Sequence, residues 1–129
     1  MFLHDVWCCI HDQIGGIYGQ GFAMMTNDDK QVLAVFSREI REHIPHAEVF
    51  AFGSRVNGNA EPDSDLDVCV VAPALDHDVR NAIREIAWRV SYDYGIVIST
   101  VKYTGKAFRH SALASSPLVR TIMAEGVAA

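Results

Sequence analysis

The sequence predicts a small α/β (α+β) domain on three observations. Two long stretches carry apolar residues at helical spacing, three short runs are rich in residues suited to buried strands, and the order helix, strand, strand, helix, strand, helix fits one layered core. A length of 129 residues with 50% hydrophobic and 21% charged residues suits a single globular domain whose core can do without disulfides.

Residues 1–27 hold Trp7, Cys8, Cys9 and a glycine-rich patch without a sustained period, and we read them as an N-terminal extension of unknown role. Met24 and Met25 directly ahead of the first helix suggest a second possible start. The domain proper is expected over 28–129. Its first helix begins at the polar cap Asn27-Asp28, places Val32, Val35, Phe36, Ile40 and Ile44 on one stripe, and stops at Pro45. Glu48-Val49-Phe50-Ala51-Phe52 is short, bulky and apolar and ends at Gly53, which marks a buried strand.

Residues 55–64, with Gly58, Asn59 and Pro62, allow at most a turn of helix. Leu66 to Ala72 resumes as a second buried strand, closed by Pro73. A second long helix starts near Asp76 or Asp78, carries Val79, Ile83, Ile86 and Val90 on one face, and ends at Gly95. On it, Trp88 and Tyr92 stand four apart and are expected against the sheet or a partner. Ile96 to Val101 is rich in β-branched residues and predicts a third strand. Ser116 and Pro117 form an N-cap and N1 pair for a last helix to Glu125, with Gly126 as its stop.

Eleven Lys and Arg against sixteen Asp and Glu give a formal charge of −5, the wrong sign for bulk attraction to nucleic acid, so a nucleotide has to be held locally. No apolar run approaches the length that spans a bilayer, and the first residues lack the basic and apolar order of a signal peptide. A cytoplasmic location and no membrane association are therefore expected. The three cysteines suggest no disulfide framework. Cys69 lies in an apolar run and reads as core, and the spacing of His4, Cys8, Cys9 and His11 matches no usual zinc pattern.

One segment stands apart. Phe52-Gly53-Ser54-Arg55 closes the first strand, and after ten intervening residues, 55–64, come Asp65-Leu66-Asp67 at the head of the second. Gly53 permits a sharp bend and the approach of an anion with no β-carbon in the way. Ser54 adds a hydroxyl and a backbone N–H that can hold a phosphate oxygen. Strand alternation puts Asp65 and Asp67 on one face with Cα atoms roughly 6.5–7 Å apart, a spacing suited to a hard divalent cation, magnesium rather than zinc. Asp63, Asp65 and Asp67 imitate the start of an EF-hand loop, but Val68 and Ala74 stand where that loop needs Gly and Glu, which rejects calcium binding of that kind.

With Gly53 and Ser54 followed by Asp65 and Asp67, and with Phe52, Arg55, Gly58, Ala60, Ser64 and Leu66 meeting the finer consensus, the sequence resembles the DNA polymerase β-like nucleotidyltransferases. It looks most like the small stand-alone minimal nucleotidyltransferases, abbreviated MNT. Ser116-Pro117-Leu118 and Glu125-Gly126-Val127 extend the likeness, which covers about residues 30–127.

The resemblance implies a palm-like fold, a small mixed sheet packed with helices. It implies Gly53 and Ser54 on the phosphates of a nucleoside triphosphate, ATP foremost, with Asp65 and Asp67 as catalytic residues holding Mg2+. The reaction would transfer AMP to an acceptor hydroxyl as pyrophosphate leaves. Arg55, beside the bend, is a further candidate for the departing phosphates.

The family often adds a third acid on a neighbouring strand. The run Ile96 to Val101 has none, which leaves Asp93 as the weak candidate. Many MNT proteins act as antitoxins of HEPN-domain toxins, some by transferring AMP onto the toxin. The resemblance thus implies a HEPN partner and a homo- or hetero-oligomer that completes the cleft. The competing reading is a nucleotide-binding module that neutralises its partner by contact and has lost turnover. Small-molecule modification is disfavoured, because the chain has no room for a drug-binding domain.

Overall fold

The computed structural model describes residues 25–110 and 112–129, so the reading of the N-terminal extension, with its His4, Cys8, Cys9 and His11, falls outside the described residues. Helix α1, Asn27–His43, is capped one residue ahead of the expected Asn27-Asp28. Thr26 is the N-cap: its hydroxyl accepts from Asp29 N at 3.0 Å, while Asp29 Oδ2 accepts from Thr26 N at 3.3 Å. This reciprocal box satisfies two backbone donors at the helix start. Strand β1, Glu48–Phe52, and the single-turn helix α2, Ser54–Asn57, follow as expected. Strand β2 is Leu66–Ala72, and helix α3, His77–Tyr94, is capped by Asp76 and closed by a left-handed Gly95.

Strand β3 is Ile98–Thr104, two to three residues later than its β-branched run suggested. Ile96 and Val97 bring the chain down from Gly95, with Val97 O accepting from Leu66 N at 2.8 Å. Seven-residue parallel pairing with β2, from Leu66↔Ile98 to Ala72↔Thr104, then carries the strand through Lys102 and Tyr103.

Three short elements escaped the sequence: helix α4, Gly105–His110, a 3-10 turn at Ala112–Ser115, and strand β4, Val127–Ala128. Helix α5, Pro117–Glu125, starts on the expected Ser116 cap. Gly126 does end it, but in extended conformation rather than the left-handed one. A β-carbon there would overlap Ile122 O and approach Ala51 O at 3.5 Å, so glycine is needed for the close passage into β4, where Val127 pairs with Ala51.

The sheet order is β3-β2-β1-β4, with β1 antiparallel to β2 and β4, and β2 parallel to β3. Helices cover both faces of this mixed sheet. Alternation along β2 sends Leu66, Val68, Val70 and Ala72 into the larger core with Phe36 and Ile40 of α1 and Ile83, Ile86 and Val90 of α3. Cys69 and Val71 enter the smaller core with Phe52, Phe108, Val119 and Ile122. Burial pushes the Cys69 thiol up to about 12, with the Glu48 charge adding to it, so the thiol stays protonated and inert.

Among the described residues no helix is long and apolar enough to cross a membrane. Trp88 and Tyr92 do not pack on the sheet: they stack on each other at 5.8 Å and are 69% and 78% exposed. Changing either to Ala is expected to shift the unfolding free energy in urea by less than about 1 kcal/mol, where a sheet-packed Trp would cost about 3–5 kcal/mol.

Candidate functional site

Strand β1 ends at the mouth of the sheet where β2 begins, because the two are antiparallel and Phe52 pairs with Asp67. The chain leaves β1 through Gly53, at φ 83° and ψ −157°, a conformation open in practice only to glycine. Val56 N and Asn57 N then both donate to Gly53 O at 3.1 Å, which closes the single turn of α2. Ser54 is half-buried at the start of that turn, and its hydroxyl has no protein partner among the described residues.

The bend lies directly against the second acid. A β-carbon on Gly53 would overlap Oδ2 of Asp67 and stand 3.2 Å from its Cγ, so the missing side chain leaves the place that the carboxylate occupies. Asp65 is exposed in the residue just before β2, and Asp67 is half-buried on its second position. Loss of solvent, and then the neighbouring Asp65 charge, hold the Asp67 carboxyl above the usual carboxylate range. The Asp67 carboxylate, with Asp65 two residues before it and the Ser54 hydroxyl beside the bend, forms a hard-oxygen donor set that fits a divalent cation.

The other candidates are placed differently. Arg55 turns away from the pair: Nε donates to Ser64 O at 2.8 Å, Nη1 to Asp29 Oδ1 at 2.8 Å and Nη2 to Pro62 O at 3.2 Å. Its side chain is 10% exposed, and these three bonds hold the guanidinium on protein oxygens. Asp93 is exposed in the last turn of α3, off the sheet. The residue paired with Asp67 across β2 and β3 is Ser99, which is exposed. Among the described residues no group of three His, Cys, Asp or Glu side chains converges as a metal site.

Asp29 is the residue that sequence reasoning missed. It is 2% exposed, and the only local hint was its place three residues after Thr26. Nothing in the sequence pointed to its long-range partner Arg55.

The family described as nucleotidyltransferase domain matches residues 33–127. A curated relative from Haemophilus influenzae, described as probable protein adenylyltransferase MntA, is 35% identical over 65 residues, covering 45% of this chain and 57% of the relative. The chain therefore aligns to little more than half of that relative's length. Two crystal structures share the fold: a toxin–antitoxin with AMP-PNP, at TM-score 0.54 and 22% identity, and a mutant MntA-HpeT toxin–antitoxin, at TM-score 0.51 and 20% identity. Each comparison covers 80% of this chain and 72% of the other.

Proposed function

Because the chain belongs to the nucleotidyltransferase domain family, we propose that it transfers a nucleoside monophosphate, AMP from ATP, to an acceptor hydroxyl, as the antitoxin of a HEPN-domain partner. The observation that carries this reading is the contact of the Gly53 bend with the Asp67 carboxylate, beside Asp65 and a Ser54 hydroxyl that has no partner among the described residues. The relative's description as a protein adenylyltransferase supports AMP transfer, and the fold shared with toxin–antitoxin structures supports the partner.

Asp65 and Asp67 would hold Mg2+, which supplies positive charge to the phosphate oxygens. Gly53 keeps the approach to Asp67 clear. Ser54 donates its hydroxyl, and offers its backbone N–H, to an oxygen of the phosphates that leave. The acceptor hydroxyl oxygen attacks the α-phosphorus in line and gives its proton to water, the bond to the bridging oxygen breaks, and pyrophosphate departs with that electron pair. Arg55 takes no part in phosphate binding and fixes the loop ahead of Asp65 instead.

A second reading is favoured by one observation. Ser99 stands where a third carboxylate could join Asp67 from the neighbouring strand, so the chain can bind nucleotide and neutralise its partner by contact without turnover. Incubation with labelled ATP, magnesium and a HEPN partner separates the two. Label on the partner establishes transfer, and a stable complex without label establishes the binder.

Ser54→Ala is expected to weaken magnesium-dependent ATP binding by roughly 1–3 kcal/mol, the worth of a hydroxyl donated to a charged oxygen. Isothermal titration measures it, and unchanged affinity would reduce Ser54 to a turn residue.

A further inference from the structure

Arg55 is chemically joined to one half of the candidate site and physically tied to the other. It follows Ser54 in α2, and its Nε donates at 2.8 Å to the carbonyl of Ser64, the residue before Asp65. Its Nη2 reaches Pro62 O at 3.2 Å, so one planar guanidinium spans both ends of the segment that delivers the first acid. That segment is also closed on itself: Ser64 N donates to Glu61 O at 3.0 Å, and Glu61 N donates to Ser64 Oγ at 2.8 Å. A planar fork holds two carbonyls only while its plane is fixed, and the third contact, Nη1 to Asp29 Oδ1 at 2.8 Å, fixes it.

Asp29 is itself held. Its other oxygen accepts from Thr26 N inside the capping box of α1, and its side chain is 2% exposed. The rigid first turn of a 17-residue helix, packed in the larger core through Val32, Leu33 and Phe36, thus anchors the guanidinium. A buried ion pair is weak evidence for stability, because desolvation opposes the attraction, and such pairs are better explained by the single arrangement they specify. Here the arrangement specified is the position of Asp65 relative to Ser54.

We propose that Asp29, through Arg55, is a positioning residue that sets the separation between the Ser54 bend and Asp65, so that a cation held by the acids can share a triphosphate with Ser54. The functional half of this inference rests on the nucleotidyltransferase reading. The structural half, that the pair clamps residues 61–65, does not.

The test uses the full chain with Arg55→Lys and Asp29→Asn. Lysine keeps a cation for Asp29 but has no fork for two carbonyls, and asparagine keeps an acceptor for Thr26 while losing the charge. In both variants amide exchange at Glu61 and Ser64, whose N–H groups close the loop, should accelerate at least tenfold, and magnesium-dependent affinity for AMP-PNP should fall at least tenfold. In Arg55→Lys this should occur with the melting temperature nearly retained, a separation that a merely structural role does not produce.

Folded variants with unchanged loop exchange, or with faster exchange and unchanged affinity, overturn the proposal. If both variants fail to fold, native-state exchange of the unaltered chain decides. Ser64 opening together with the first turn of α1 supports the clamp, and Ser64 exchanging freely beside a protected first turn overturns it. If the unaltered chain binds no nucleotide with magnesium, the nucleotidyltransferase reading fails and the positioning role fails with it, while loop exchange still decides whether the clamp exists.

Discussion

Asp65→Asn combined with Asp67→Asn should abolish magnesium-dependent nucleotide binding and transfer while leaving the far-UV circular dichroism unchanged. Asparagine keeps the volume and one acceptor oxygen at each position but removes both charges, so the donor set no longer offsets the dehydration of a divalent cation. The fold has no reason to suffer. Asp65 is exposed, and the Asp67 carboxyl is held above the usual carboxylate range by burial first and by Asp65 second.

The sign of that shift makes a second measurement possible. A carboxyl whose folded-state pKa exceeds its unfolded value binds its proton more tightly when folded, so its contribution favours the fold below the unfolded pKa. That contribution is lost as pH rises from the unfolded value, about 3.9, through the raised folded value, and at neutral pH the charged group opposes folding. In magnesium-free buffer, Asp67→Asn alone should therefore melt at or above the temperature of the unaltered chain at pH 7, and the difference should shrink as the pH falls toward 4. A large loss of stability at pH 7 would mean that Asp67 serves the fold, and retained nucleotide transfer in the double variant would remove the acids from the reaction.

What the sequence disclosed and what it hid follow from the range of the interactions involved. The strands at 48–52 and 66–72, and both long helices, are set by local patterns: apolar runs bounded by Gly53, Pro45 and Pro73, and stripes at helical spacing. The Gly53 bend and the order of residues from Ser54 to Asp67 are equally local, which is why their approach across β1 and β2 could be anticipated. Strand β4 is two residues long and exists only through its pairing with β1, so it carries no period to read. Helix α4 has six residues and is placed by one buried side chain, Phe108, against Phe50 and Tyr103.

Two further residues show that partner choice lies beyond local pattern. Arg55 beside a phosphate bend invites a phosphate role, yet a buried carboxylate 26 positions earlier claims it, and no spacing rule links those two residues. Trp88 and Tyr92 at i and i+4 suggest packing against the sheet or a partner, and the sheet is the alternative that fails: the stripe that α3 turns to it is Ile83, Ile86, Ala87 and Val90, and the aromatic pair lies off it.

Gly53→Ala should be strongly damaging, through two effects that can be measured apart. The backbone at φ 83° and ψ −157° costs a residue with a β-carbon about 1–3 kcal/mol, wherever its side chain points. The added methyl would also overlap Asp67 Oδ2, so the carboxylate has to move or the strand pair Phe52↔Asp67 has to open. With Asp67 in the cation-holding role proposed above, a displacement of about 1 Å would be enough to cost on the order of 100-fold in rate.

Combining Gly53→Ala with Asp67→Ala separates the two effects. The Asp67 β-carbon would stand 3.4 Å from the new methyl, an ordinary contact, so truncation removes the overlap and leaves the backbone strain. Urea unfolding of the single and double variants should then show a coupling of at least about 0.5 kcal/mol, with the double variant less destabilised than the sum of the singles. Strict additivity would mean that the bend and the carboxylate do not meet, and would take with it the contact on which the nucleotide reading stands.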